Sequence, residues 1–299
     1  NEPVPPTPEA NPQAAAPEST AEVIPPPDPV STITVDGVTL DLYFASLDQG
    51  EAGIIHVHGA GLNGAHGRFI NRDINFYTVE GTDGYYALLA AGMEQNPRTY
   101  DLNIVAQTTT GSVSLDAQIE VNTGGFIRQA FDIPSDRAYL IDPEVERNEF
   151  ARLNAVFELS EQEKLWGDAG FGLPVNSEFT SPFGAYRTFN STVETRHTGW
   201  DLRAATGTPV MAAADGVVGY AGLLDIRGNH VIIDHGLGIH SGYSHMSQIH
   251  VTRGQTVTKG QIIGVSGNTG RSGGAHLHWE ITVKGEWVDA AQFYDLWIP

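Results

Sequence analysis

Gly274-Ala275-His276-Leu277-His278-Trp279-Glu280-Ile281-Thr282-Val283 reads as a β-strand. Side chains alternate faces along a strand with a period of two. Leu277, Trp279, Ile281 and Val283 then form one apolar face fit for a core, and His276, His278, Glu280 and Thr282 form the other. Two imidazoles are thereby mounted side by side on a stiff, core-anchored element, which suits a metal ligand beside an acid/base group. On its own a His-x-His pair is weak evidence, because the solvated face of a sheet holds two histidines equally well.

Two further stretches supply companions. Arg196-His197-Thr198-Gly199-Trp200-Asp201 sets His197 and Asp201 four apart, and Gly242-Tyr243-Ser244-His245-Met246 adds another imidazole. The chain has no cysteine, so a metal must use His, Asp or Glu. A catalytic zinc takes three protein ligands and keeps one position open. Two histidines and one carboxylate meet that need and leave two histidines for outer-shell or acid/base roles. Each pair alone is commonplace, but the three stretches in this order are specific. They fall in residues 171–299, a Gly-rich segment with eight of the 11 histidines. Gly, Asp and Asn punctuate runs such as Val231-Ile232-Ile233 and Gln261-Ile262-Ile263-Gly264-Val265, so a compact antiparallel sheet, doubled over or closed, is expected.

Residues 171–299 resemble the zinc metallopeptidases of the lysostaphin/LytM type, peptidase family M23. The resemblance runs through Ser181-Pro182-Phe183-Gly184, His197-Thr198-Gly199-Trp200-Asp201, Ala214-Asp215-Gly216-Val217-Val218, Tyr243-Ser244-His245-Met246 and Gly267-Asn268-Thr269-Gly270 to His276-Leu277-His278-Trp279-Glu280. It implies one Zn2+ bound by His197, Asp201 and His278, with His245 and His276 as the catalytic pair. It also implies a peptidoglycan endopeptidase, extracellular or in the bacterial cell envelope. Met246 stands where the family usually has Leu, a volume-conserving change. A non-catalytic LytM-like regulatory or wall-binding module would lack ligands, and all five residues are present. A lipoyl or biotinyl carrier shares part of the Gly pattern but needs a Lys at a hairpin tip, and Met211-Ala212-Ala213-Ala214-Asp215 has none.

The other residues of this segment have plainer expectations. His230, His235, His240 and His250 are read as surface or turn histidines. Tyr243 shares a strand face with His245 by alternation and would flank a cleft. Arg187 and Asn190, in a loop entering the site, are modest candidates for substrate contacts.

Upstream the chain is expected to be modular and mostly β. Residues 1–30 hold ten of the 17 prolines, five acids and no basic residue, the composition of an extended, disordered spacer. Residues 31–125 show short alternating runs between turn residues, as in Thr32-Ile33-Thr34-Val35 before Asp36-Gly37, and Tyr100, Leu102, Ile104 and Ala106 share one face. A β-sandwich is expected, and the run from Pro97 to Ala106 resembles a late strand of immunoglobulin-like surface modules. His56-Val57-His58 imitates the C-terminal pair, but no carboxylate lies at a companion spacing. Alternation points Ile55 and Val57 inward, so the two histidines read as residues of a solvated face. Residues 126–170 read as a helical connector: Asp142-Pro143-Glu144 starts a helix with a stripe of Val145, Leu153, Val156 and Phe157, and Ser160 with Glu163 starts a second, short one.

With 16 Lys+Arg against 36 Asp+Glu, the net charge is −20. Binding to nucleic-acid phosphates or to anionic lipid rests on cations and is not expected. Retention at a wall would then depend on a domain or an anchor, and the N-terminal module is a candidate for contact with cell wall or another surface protein. The sequence opens at Asn1 with no visible leader, as a mature or trimmed form would.

Overall fold

The computed structural model describes residues 26–299 except 134, 168 and 169. The expected spacer therefore lies almost wholly outside the described residues. Among the described residues no helix is long and apolar enough to cross a membrane.

Two five-stranded sheets make up the N-terminal body. One runs in the order Ser31–Val35, Val38–Leu42, Ala52–Gly59, Tyr85–Ala90, Phe76–Tyr77. The other runs Leu47–Asp48, Gly111–Asn122, Arg98–Thr108, Leu62–Phe69, Arg72–Asp73. Asp36 and Gly37 join the first hairpin with φ of 48° and 79°, the left-handed pair that a tight two-residue turn demands. Leu40, Ile55, Val57, Leu89, Leu102, Ile104 and Leu115 are buried between the sheets. The Leu62–Phe69 strand was not legible, since Gly64, His66 and Gly67 interrupt its apolar pattern.

The outward face of the first sheet is not solvated as expected. Ile54, Tyr77 and Tyr86 lie in one core with Trp166, Phe171 and Phe293 of the second half of the chain. The side-chain amide of Gln292, on the C-terminal helix Ala290–Asp295, also bonds both backbone groups of Ala52. His56 is buried at the margin of this contact.

The connector is less helical than expected. Arg128–Phe131 is a strand, parallel to Tyr186–Phe189, and is followed by a 3-10 segment, Ser135–Ile141. The helix Pro143–Phe157 is capped as expected, Asp142 Oδ1 accepting from the Glu144 amide at 2.8 Å. Among the described residues the second helix does not form. Ser160, whose hydroxyl would have capped it, instead donates to Asp234 Oδ1 at 2.7 Å and accepts from the Gly238 amide at 2.8 Å. A tertiary partner has taken the capping group.

The C-terminal sheet is open, antiparallel and eight-stranded. Its order is Phe179–Ser181, Trp200–Arg203, His276–Val283, Ile239–Met246, Gly228–Asp234, Gly216–Leu224, Thr256–Val257, with Glu286–Val288 also paired to His276–Val283. A small sheet of Pro209–Met211, Ile262–Val265 and Gln248–Ile249 accompanies it. The strand read first from the sequence lies between Trp200–Arg203 and Ile239–Met246, so all three candidate stretches are neighbours.

Candidate metal centre

Register sets the site. Asp201 pairs directly with His278, and Ser244 pairs with His278 on the other side. His197 enters from the turn before Trp200–Arg203. That turn passes close over the central strand: a Cβ on Gly199 would meet the Trp279 carbonyl oxygen at 2.2 Å. His197 Nε2, Asp201 Oδ1 and His278 Nδ1 converge with separations of 2.9–3.0 Å. All three residues are buried and form a set able to hold a metal ion.

Hydrogen bonds behind the donors select their tautomers. His197 Nδ1–H donates to the Pro182 carbonyl at 2.7 Å, leaving the lone pair on Nε2. His278 donates through Nε2 to Glu280 Oε2 at 3.3 Å, leaving the lone pair on Nδ1. Outer-shell bonds of this kind orient metal-binding imidazoles. Burial pushes His197 down to about 4, keeping it neutral. Burial alone would raise Asp201, but the surrounding imidazoles outweigh it and hold the carboxyl well below its usual range. Two neutral-capable imidazoles and one carboxylate, turned toward one point, suit a divalent ion of the zinc class.

His276 and His245 stand beside this set, ring centroids 4.8 Å apart. His276 Nδ1–H donates to the Gly274 carbonyl at 2.8 Å, and its Nε2 lies 3.5 Å from Asp201 Oδ1. His245 Nδ1–H donates to the Thr269 carbonyl at 2.8 Å. Both rings therefore keep a lone pair on Nε2. His245 adopts a φ of 62°, unusual for a residue with a side chain, where the pairing with Gly228–Asp234 slips register.

That slip corrects one expectation. Tyr243 does not flank the cleft: alternation fails between it and His245, and its ring is fully buried, with the hydroxyl bonded to the Ala213 amide and Ser241. His230, His235 and His240 are likewise buried rather than superficial, while His250 is exposed. His235 spans the Asp215 carbonyl and Ser241 Oγ, both at 2.7 Å, and His230 bonds Ser244 Oγ at 3.0 Å. Of the three, His235 is a core histidine with both ring nitrogens satisfied, whereas His230 Nε2 and both ring nitrogens of His240 are buried without a hydrogen-bond partner.

Arg187 reaches the centre, with Nη2 donating to Asp201 Oδ2 at 2.6 Å. Asn190 does not; its side chain receives the Ile133 amide at 2.7 Å and fastens the connector. Gln129, Phe131 and Ile133 of the connector form one wall of a cleft of about 390 Å³ that opens onto Asp201, His245 and His276. The Ser272-Gly273-Gly274 loop forms the facing rim.

One residue at the heart of the site went unread in the sequence. Glu149, on the helix Pro143–Phe157, is buried and accepts from Arg227 Nη1 at 3.0 Å and from the Ile226 amide at 2.7 Å. Arg227 in turn donates to both oxygens of Glu280, at 3.0 and 2.8 Å, and Thr198 Oγ1 donates to Glu280 Oε2 at 2.7 Å. Burial opposes the charge on Glu280, yet Arg227 holds its carboxyl well below the usual range. A signal was available: Glu149 interrupts the apolar stripe midway between Val145 and Leu153.

Such a centre, two histidines and an aspartate on a sheet with two further imidazoles at its edge, has the composition of a hydrolytic metal site. Residues 195–290 match the family model described as Peptidase family M23, and this chain carries an M23 domain. Over 94 residues it is 47% identical to the peptidoglycan DD-endopeptidase ShyA of Vibrio cholerae, covering 31% of this chain and 22% of that protein. Over 116 residues it is 42% identical to the DD-carboxypeptidase/endopeptidase Mpg of Neisseria meningitidis, covering 38% of this chain and 26% of that protein. The chain thus spans about a quarter of the length of these relatives. The crystal structure of an M23 peptidase candidate from Pseudomonas aeruginosa superposes with a TM-score of 0.61 at 24% identity, covering 82% of this chain and 94% of that one. That likeness shows a shared fold.

Proposed function

We propose that the chain is a zinc-dependent endopeptidase acting on peptide bonds of peptidoglycan cross-links in the bacterial cell envelope. The convergence of His197 Nε2, Asp201 Oδ1 and His278 Nδ1 beside His245 and His276 carries this reading. Likeness to relatives named as DD-endopeptidases supports the substrate class.

His197, Asp201 and His278 would hold one zinc ion, which when bound supplies Lewis-acid polarisation of the scissile carbonyl and acidifies a water molecule. His276 is assigned the general base, because its Nε2 lies next to the ligand set and its Nδ1–H is anchored to Gly274. His245, with its Nδ1–H committed to the Thr269 carbonyl, keeps a free Nε2 beside His276. Burial holds its ring neutral, its pKa well below the ordinary histidine value, so it is assigned hydrogen bonding at the reacting centre and not storage of the proton.

A regulatory LytM-like module without catalysis is disfavoured because no member of the five-residue set is missing. The N-terminal sandwich, read as immunoglobulin-like, is assigned to spacing or to contact with cell wall or a surface protein. The test is zinc content with cleavage of defined muropeptides, followed by mass spectrometry of the fragments. Zinc-bound protein that releases cross-link fragments, and a His278→Ala variant that does neither, is the expected result. Wall hydrolysis unchanged in His278→Ala sinks the reading.

A further inference from the structure

His56 and His58 were set aside in the sequence for want of a carboxylate, and the fold brings one. Asp41, on Val38–Leu42, pairs directly with His56 on Ala52–Gly59. His58 lies two residues further along the same face, and its Nε2 sits 2.9 Å from Asp41 Oδ2. One ligand atom from each of Asp41, His56 and His58 lies within 4.8 Å of the others. The plan parallels the M23 centre, where Asp201 pairs across strands with one member of a His-x-His.

The groups behind these donors are arranged for binding. His56 Nε2–H donates to the Asp83 carbonyl at 2.5 Å, which leaves the lone pair on Nδ1. Burial pushes the His56 ring toward the neutral form. Thr32 Oγ1 donates to Asp41 Oδ1 at 2.6 Å, orienting the carboxylate so that Oδ2 remains for a ligand role. The His56 ring is clamped flat between Tyr86 and His58, with centroid distances of 4.0 and 4.6 Å. Rotamer freedom is therefore already spent before any ion arrives. His58, with about a third of its side chain exposed, leaves a route in from solvent.

We propose that Asp41, His56 and His58 form a second metal site, for a divalent d-block ion of the zinc class. Two imidazoles and one carboxylate favour such an ion over calcium or magnesium, which take oxygen ligands. Bound there, the ion ties Val38–Leu42 to Ala52–Gly59, next to Tyr86 in the core that joins the sandwich to the M23 domain. The function assigned to this site is to stiffen that junction.

Zinc titration of the full chain, stripped of metal, tests it by calorimetry and by metal analysis after dialysis. The wild type should take up two equivalents and His278→Ala one. Asp41→Asn and His58→Ala should each take up one and keep wild-type hydrolysis. Asp41→Asn keeps the shape of the side chain, and matching circular dichroism of the apo proteins checks the fold. A wild type that saturates at one equivalent overturns the site, as does a second equivalent that persists in both variants. A failure of the M23 centre reads differently, because His278→Ala would then leave the stoichiometry unchanged.

Discussion

Glu149 accepts a hydrogen bond from Arg227 Nη1 at 3.0 Å in the buried space behind the metal centre. Glu149 belongs to the helix before the M23 domain and Arg227 to a turn within it. From Arg227 the contacts divide. Its guanidinium grips Glu280, the partner of the His278 ring, and its carbonyl accepts the His245 amide at 2.8 Å. One connector carboxylate thus braces both His278, of the proposed metal set, and His245, of the proposed catalytic pair.

Removing that brace should loosen the metal. Glu149→Ala leaves a buried guanidinium short of one partner, which typically costs about 3–5 kcal/mol. Glu149→Gln keeps the acceptor toward the Ile226 amide and loses charge. We expect Glu149→Gln to weaken zinc binding by about 10-fold with a smaller loss of stability. Zinc affinity and urea midpoints measured together separate the positioning role from simple unfolding.

Ligand and base should part company under mutation. His278→Ala is expected to lose both zinc and hydrolysis. His276→Ala is expected to keep one zinc in the M23 centre and lose about 10²–10⁴-fold in turnover. Metal analysis beside muropeptide kinetics checks the pair; a zinc-free His276→Ala would move that residue into the ligand set.

Gly199→Ala places a Cβ 2.2 Å from the Trp279 carbonyl oxygen, which is backbone and cannot swing aside. The central strand and the His197 turn must separate. A loss of about 1–3 kcal/mol in stability is expected, with weaker zinc binding because His197 moves with the turn. Thermal unfolding with and without zinc measures both.

Acid should destabilise the fold through its buried histidines. Burial lowers His235 to about 4, against 6.5 for the free side chain. The unfolded chain then takes up a proton at this residue before the folded one does. The stability from neutral His235 is complete above pH 6.5 and is lost as pH falls from there toward 4, at about 1.4 kcal/mol per pH unit. His235→Gln, which retains a donor and an acceptor, should show a shallower loss between pH 6 and 4.5. Equal slopes in urea titrations of the two proteins would refute the assignment.

The cluster of His197, Asp201, His245, His276 and His278, the proposed metal centre, was legible because its residues sit where local rules speak. Alternation placed His276 and His278 on one face, and the turn from His197 to Asp201 is short enough to be read as a unit. Glu149 was hidden because its partner lies 78 positions away and helix periodicity asks only which face a residue takes. The buried states of His230, His235 and His240 were missed because their partners belong to other strands or to strand ends.

The same contrast separates the two His-x-His motifs. From sequence alone came the strand, the two faces and the companions His197, Asp201 and His245, because strand periodicity and motif spacing are properties of the chain. Whether a carboxylate stands opposite His56 depends on which strand lies beside it and in what register. Only the tertiary structure decided that, by pairing Asp41 with His56, just as it decided the slip at His245 that turns this imidazole away from the face of Tyr243. Register and burial arise from packing between distant segments, and no local pattern encodes them.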